Sequence, residues 1–506
     1  MAERAAPADG TAAPDTVGVA GVAVDTRHWI GGRRVASSST FEDLSPITGE
    51  VIARVARGGG REVDLAVAAA RAAFPEWGGT PRADRARVLH AIADGVEARL
   101  EELAVVETAD NGALLRSHRR GVMPRVAHNF RFFADLLLEL DHPDFETRGH
   151  RNHVTWDPAG VAALISPWNA PLMLATWKVA PALAAGDTVV LKPSEWSPLT
   201  ASLLADVARD AGLPAGALNV VQGIGEEAGA ALVAHRGVDR ISFTGSVPTA
   251  RRIAGAAAQH LTPLSLELGG KSPLLVFADA DLDLAVELAV EQYDNAGQVC
   301  LAGSRLLVED AVAEEFTERF VERAGRLHQG DPRDPGTDIG PQIHPDHLAR
   351  VDGFVRRARE AGARVLLGGG PNTDLGGLYY RPTLVVDVPE GAEILTEEVF
   401  GPVLTLQTFG AEEEAVDLAN ATDYGLAAVV VTGDPDRAER VSSQLVAGTV
   451  WVNCFYVRDL RAPFGGARDS GVGREGGHWS FDFFCDVKNT VVAPAGWRDR
   501  ADGSDG

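Results

Sequence analysis

The sequence predicts a two-domain α/β fold, each domain built on a mainly parallel sheet, with a small extra β element. Three observations carry this. First, from residue 160 short apolar runs of strand length alternate with helical stretches: Val161–Ile165, Thr188–Leu191, Leu218–Val221 and Arg240–Phe243. Strands read as near-continuous apolar runs when helices cover both faces of a parallel sheet. Second, another alternating series runs from about 273 to 455, with strands expected at Leu274–Phe277, Ser304–Val308, Arg364–Leu367, Ala427–Val431 and Thr449–Val452. Third, 506 residues with 45% hydrophobic and 23% charged content are ample for a large buried core.

Taken in order, residues 1–25 are rich in Ala, Gly, Pro and Asp and read as a disordered tail. The apolar stretch Thr16–Val24 is too short, and too poor in preceding positive charge, for a signal peptide. Ordered sequence is expected from His28-Trp29-Ile30, closed by Gly31-Gly32, followed by helices at 61–77 and 82–110. A helix over 197–211 takes Ser197 as N-cap, Pro198 in the first turn and Gly212 past its end. Segments 148–157 and 484–493 read as additional strands outside both series, and residues from 496 as a second loose tail. A strand at the chain end is an edge that needs a partner, which predicts oligomerisation.

Asp and Glu outnumber Lys and Arg by 71 to 47, a net charge of −24, which repels phosphate backbones and anionic membranes. No stretch approaches the roughly 18 apolar residues of a membrane span. Three cysteines, Cys300, Cys454 and Cys485, without a C-x-x-C pair, exclude a disulfide framework and predict no metal site and a reducing, cytoplasmic setting. Lysine is nearly absent: Lys178, Lys192, Lys271 and Lys488 are the full set.

Several segments can carry chemistry. In Asn295-Ala296-Gly297-Gln298-Val299-Cys300 the cysteine follows a Gly-containing break between helix and strand, so it is either a nucleophile or an inert buried thiol. Cys454 and Cys485 lack such a context. Glu267, between leucines before Gly269-Gly270-Lys271, is either a base with a burial-raised pKa or a carboxylate satisfied by the Gly-Gly turn. Asn169, in Ser166-Pro167-Trp168-Asn169, lies at the carboxyl end of a strand, where α/β folds bind ligands. Its amide can stabilise an oxyanion or serve a turn. Gly223-Ile224-Gly225-Glu226-Glu227-Ala228-Gly229 is one residue longer than the common dinucleotide fingerprint. Phe243-Thr244-Gly245-Ser246 places a Gly turn and a helix N-terminus after a strand, a setting for phosphate. In Lys192-Pro193-Ser194-Glu195 the carboxylate can hold two ribose hydroxyls and repel a 2′-phosphate, or form a surface ion pair.

Together these motifs, with Glu397-Glu398-Val399-Phe400-Gly401-Pro402 and Pro463-Phe464-Gly465-Gly466 through Ser470-Gly471-Val472-Gly473-Arg474-Glu475, strongly resemble the NAD(P)-dependent aldehyde dehydrogenase superfamily over about 28–493. The resemblance implies a Rossmann-type NAD-binding domain (26–146 and 160–268), a catalytic domain (269–480) and oligomerisation strands (147–159 and 481–495). It implies Cys300 as nucleophile, Glu267 as base, Asn169 as oxyanion donor, and Lys178 and Glu475 on a proton path. It further implies a cofactor site of Ser166, Trp168, Lys192, Glu195, Gly225, Gly229, Phe243, Thr244, Gly245, Ser246, Leu268, Glu398 and Phe400, and a homodimer or homotetramer. Glu195 favours NAD over NADP.

The run Val457-Arg458-Asp459-Leu460-Arg461, with Arg120 to Arg125 and Asn129 to Ala134, resembles the 2-hydroxymuconate, 5-carboxymethyl-2-hydroxymuconate and 2-aminomuconate semialdehyde dehydrogenases of aromatic-ring meta-cleavage. Their substrates carry a carboxylate that a guanidinium pairs bidentately. Arg120 and Arg461, with Arg458 in reserve, are expected to meet it; alternatively these arginines only replace lysines. The competing readings are a broader aldehyde dehydrogenase, acting on betaine, aliphatic or aromatic aldehydes, and a non-catalytic protein that keeps the fold.

Overall fold

The computed structural model describes residues 15–497. The first series of apolar runs forms the middle of an eight-stranded sheet. Val161–Ile165 lies between Thr188–Lys192 and Arg240–Gly245, parallel to both. Leu218–Val220 and Leu264–Leu268 extend the parallel set on either side. Antiparallel His28–Ile30 and Arg33–Val35 finish one edge. The opposite edge is finished by Gly471–Val472, which arrives from far along the chain. Val161–Ile165 and Thr188–Lys192 are buried throughout, and each Val, Leu or Ile so placed contributes about 1.5–3 kcal/mol.

The second series forms a seven-stranded sheet. Pro273–Val276 runs parallel to Arg305–Glu309 and Ala427–Val431, and Thr449–Val452 and Val403–Phe409 extend it outward. Thr383–Val386 pairs with Val403–Phe409, and antiparallel Arg364–Leu367 ends that side. The two sheets are joined directly by Gly269-Gly270-Lys271-Ser272, between Leu264–Leu268 and Pro273–Val276. Everything at the carboxyl end of Leu264–Leu268 therefore lies at the junction of the two halves.

A third, antiparallel sheet joins Asp144–Thr147, His150–Pro158 and the terminal strand Cys485–Val492. The terminal strand finds its partner within the chain. Its other edge pairs with nothing among the described residues, and Val487, Val491 and Val492 are more than half exposed. No helix of the described residues is long and apolar enough to cross a membrane.

Three expectations change. The tail expected over 1–25 is a β-hairpin where it is described: Thr16–Val19 pairs with Val22–Asp25 around Ala20-Gly21, both at positive φ, and Val19 and Val24 are buried. Residues 1–14 and 498–506 lie outside the described residues. The single helix over 82–110 is two, Arg82–Ala98 and Leu100–Asn111, divided at Arg99 (φ −109°, ψ 18°). Ser197 does not cap the next helix, which spans Leu199–Asp210. Its Leu199 N–H donates instead to Asp110 Oδ2 at 2.9 Å, a buried carboxylate from the preceding helix pair.

Candidate active site

The carboxyl ends of the central strands converge. Strand register sets Thr244 beside Glu267 and Gly245 beside Leu268, and the Ser166 N–H donates to the Lys192 carbonyl at 3.2 Å. The motifs read as separate signals are therefore neighbours along one sheet edge.

Glu267 is 3% exposed, and neither carboxylate oxygen has a hydrogen-bond partner among the described residues. Burial, then the charge of Glu475, pushes its pKa well above the ordinary range; Lys178, Arg458 and Arg474 oppose this. Gly465 makes room for it: a Cβ there would stand 2.8 Å from Glu267 Oε1, on a backbone at φ +153°. Glu475 Oε1, in contrast, accepts from Lys178 Nζ (2.7 Å), Ser242 Oγ (3.0 Å) and Ser265 Oγ (3.3 Å), all buried.

Cys300 follows a backbone that bends sharply. Asn295, Ala296 and Gly297 are consecutive left-handed residues (φ 48°, 55° and 71°), a conformation costing roughly 1–2 kcal/mol at each non-glycine. Side-chain amides hold it. Asn295 Nδ2 donates to the Asn169 carbonyl (3.0 Å), Gln298 Nε2 to the Asn295 carbonyl (2.9 Å) and Gln342 Nε2 to the Ala296 carbonyl (3.0 Å). Gly297 is obligatory, because a Cβ there would lie 2.1 Å from the Gly401 carbonyl oxygen. Asn169 Nδ2 donates to the Gln298 carbonyl at 2.9 Å, which brings the amide up to the cysteine loop. Burial, followed by Glu398, pushes the Cys300 thiol up to about 12, while Arg458 favours the thiolate. Nothing in the sequence motifs pointed to Asn295, Gln298 or Gln342 as holders of this bend.

Several of the expected cofactor residues are in contact with one another. Lys192 Nζ donates to Glu195 Oε2 (2.7 Å), and the Gly225 N–H donates to Glu195 Oε1 (3.3 Å). A Cβ at Gly225 would sit 3.7 Å from Glu195 Oε1, in front of the carboxylate. Gly229 is buried at the end of the Gly225–Gly229 turn. Helix Val247–Ala257 begins at Ser246 without a side-chain cap; Pro248 has no N–H, so Val247 and Thr249 supply the first-turn donors. Gly245 is required because a Cβ would meet the Phe243 ring at 2.4 Å. The Gly270 N–H donates to Glu398 Oε1 (3.0 Å), and burial pushes Glu398 up to about 7. Phe400 packs edge-on against Trp168, ring centroids 5.2 Å apart. A ribose-type carboxylate, an uncapped helix N-terminus and aromatic walls are the donor set that a dinucleotide needs.

The expected substrate arginines separate. Arg461 does not point inward: Nη2 donates to Asp459 Oδ2 at 2.6 Å and Nε to Oδ1 at 3.0 Å, with the side chain 80% exposed. A carboxylate two residues away in the same turn captures it. Arg120 is exposed on the π-helical turn His118–Val122. Arg458 is half-buried, its guanidinium 3.7 Å from the Phe464 ring centroid and 5.7 Å from that of Trp177. Its charge acts on both Cys300 and Glu267. Arg125, which sequence reasoning did not select, lies 5.5 Å from the Trp177 ring. Burial, then Arg458, pushes it down to about 10. Among the described residues neither Arg458 nor Arg125 is ion-paired; Arg125 Nε donates only to Asn129 Oδ1 (3.0 Å).

Comparison with known proteins adds three findings. The profile of the aldehyde dehydrogenase family matches residues 34–490. The 2-hydroxymuconic semialdehyde dehydrogenase of Pseudomonas sp. (strain CF600) is 46% identical, over 92% of this chain and 99% of its own, and the 2-aminomuconic semialdehyde dehydrogenase of Danio rerio is 45% identical, over 92% and 97%. The crystal structure of betaine aldehyde dehydrogenase from Staphylococcus aureus, in complex with NAD+, superposes with a TM-score of 0.91 at 36% identity, covering 93% of this chain and 95% of that one.

Proposed function

The chain belongs to the aldehyde dehydrogenase family, and on that premise we propose that it uses NAD to oxidise a muconic-type semialdehyde, an aldehyde bearing its own carboxylate, to the acid. The observation that carries the substrate is the pair of half-buried arginines, Arg458 and Arg125, without carboxylate partners among the described residues, with the charge of Arg458 acting on Cys300. The names of the two muconic relatives support the same class. In this reading Arg458 and Arg125 take the substrate carboxylate, Trp177 and Phe464 flank its chain, and Arg461 has no contact.

Residues 26–146 and 160–268 serve as the dinucleotide-binding domain and 269–480 as the catalytic domain. Lys192 and Glu195 hold a ribose, the helix start at Ser246 takes a phosphate, and Glu398 holds the second ribose. Bound there, NAD supplies the acceptor for a hydride. Cys300 Sγ attacks the aldehyde carbon, and its proton passes to Glu267, the buried carboxylate with no other partner. The Asn169 amide and the Cys300 N–H stabilise the oxyanion of the thiohemiacetal. Loss of hydride from that carbon leaves a thioester on Cys300. Glu267 then deprotonates water, which attacks the thioester carbon; the carboxylic acid leaves and the sulfur is restored. Glu475 and Lys178 carry the proton outward. The sum is aldehyde, NAD+ and water giving acid, NADH and a proton. The terminal strand Cys485–Val492, with its free edge and exposed valines, supports a homodimer or homotetramer. A cysteine that must stay a free thiol suits a cytoplasmic setting.

The test is kcat/KM for a muconic semialdehyde against a neutral aldehyde of similar size. A charged hydrogen-bonded pair is worth about 1.5–3 kcal/mol, so a preference of about 10- to 150-fold is expected. Equal values would overturn the substrate class and favour a broad aldehyde dehydrogenase.

A further inference from the structure

Aromatic side chains from both halves of the molecule meet next to Glu195, and two of them stack. Trp196, directly after Glu195, lies flat against His344: ring centroids are 4.6 Å apart and the planes differ by 4°. That separation exceeds the about 3.5 Å contact of stacked carbons, so the rings are offset, the arrangement that ring quadrupoles favour. His344 is not free to turn. As N-cap of helix Pro345–Glu360 its Nδ1 accepts the Asp346 N–H at 3.2 Å.

The same helix makes two more attachments. One turn further on, His347 meets Trp168 edge-on at 5.0 Å and donates from Nε2 to the Phe400 carbonyl at 2.7 Å. Arg350 donates to the carbonyls of Glu398 (2.5 Å) and Val399 (2.6 Å). One helix thus connects both tryptophans of the first sheet's strand ends to the loop that carries Glu398. Trp196 and His344 are half-buried rather than core residues, and the chemistry above uses neither.

We propose that Trp196 and His344 form a clasp across the dinucleotide cleft, whose parting sets the rate at which the reduced cofactor leaves. The proposal rests on the cofactor reading of this cleft. An aromatic pair of this kind shifts an equilibrium by about two- to thirteenfold, which sets the expected effect.

Two substitutions at one position separate stacking from capping. His344→Asn keeps a good N-cap and removes the ring; His344→Phe keeps the ring and removes the cap. NADH release is followed in stopped flow by its fluorescence on displacement with excess NAD, without aldehyde. Release from His344→Asn is expected about three- to tenfold faster than from wild type, with His344→Phe within twofold of wild type. An unchanged rate in His344→Asn overturns the clasp, as does an equal acceleration in both variants. A wild-type protein that binds no NADH would instead remove the cofactor reading itself, so the two failures are distinguishable.

Discussion

Two sets of charged side chains at the candidate site are treated oppositely by the fold. In one set, ionic groups are paired: Lys178 reaches Glu475 Oε1 and Ser242, and Lys192 reaches Glu195, while Glu475 Oε2 has no partner among the described residues. In the other set they are not. Glu267 has two partnerless oxygens, Arg458 rests on an aromatic face, and Arg125 has only an amide. Desolvating a charge without a partner is costly. A protein that pairs one set and leaves the other open is holding the open set for something that arrives. In the proposed reading the paired groups position, and the open ones react or bind.

Substitution breaks this contrast most severely at Glu267. Glu267→Gln is expected to lower kcat by about 10²–10⁴, the range for a lost general base, as measured by steady-state NADH production. Asn169→Ala comes next, at about 10²–10³ for one oxyanion donor, read in kcat with substrate affinity little changed. Arg458→Met sharpens the contrast on the binding side. It should lower kcat/KM for the carboxylated semialdehyde about 10- to 100-fold more than for a neutral aldehyde. It should also move the thiol titration of Cys300 upward, because Arg458 favours the thiolate; iodoacetamide labelling rates against pH report this. Arg461→Ala should change either substrate less than twofold, since the exposed Arg461–Asp459 pair faces solvent. A pH profile closes the series. Cys300 and Glu267 are both raised by burial, so each gains its reactive form as pH rises. Activity should climb from pH 6 to 9 and flatten in neither direction below 8.

What the sequence made legible follows the same divide. Strands such as Val161–Ile165, Ala427–Val431 and Thr449–Val452 stand where their apolar runs lie, because burial on both faces writes itself into composition. The strands Thr383–Val386 and Val403–Phe409 were not anticipated; each is a short apolar run bordered by Pro382 or Pro402, without helical punctuation around it. The hairpin Thr16–Asp25 was masked by the Ala- and Gly-rich stretch around it. Ser197 lost its cap role to Asp110, a residue remote in sequence that no local pattern announces. At the site, residues on strand ends were readable because the backbone alone carries them there. The direction of an arginine on a loop was not, since a single neighbouring carboxylate, Asp459, decides whether Arg461 faces the chamber or the solvent.

The account turns on a covalent acyl group at one sulfur. Wild-type protein, mixed with NAD and a muconic semialdehyde and quenched in acid within the first turnovers, should show an intact-mass increase equal to the acyl group, mapped by peptide digestion to Cys300. No mass increase, or a modification on Cys454 in its place, would contradict it.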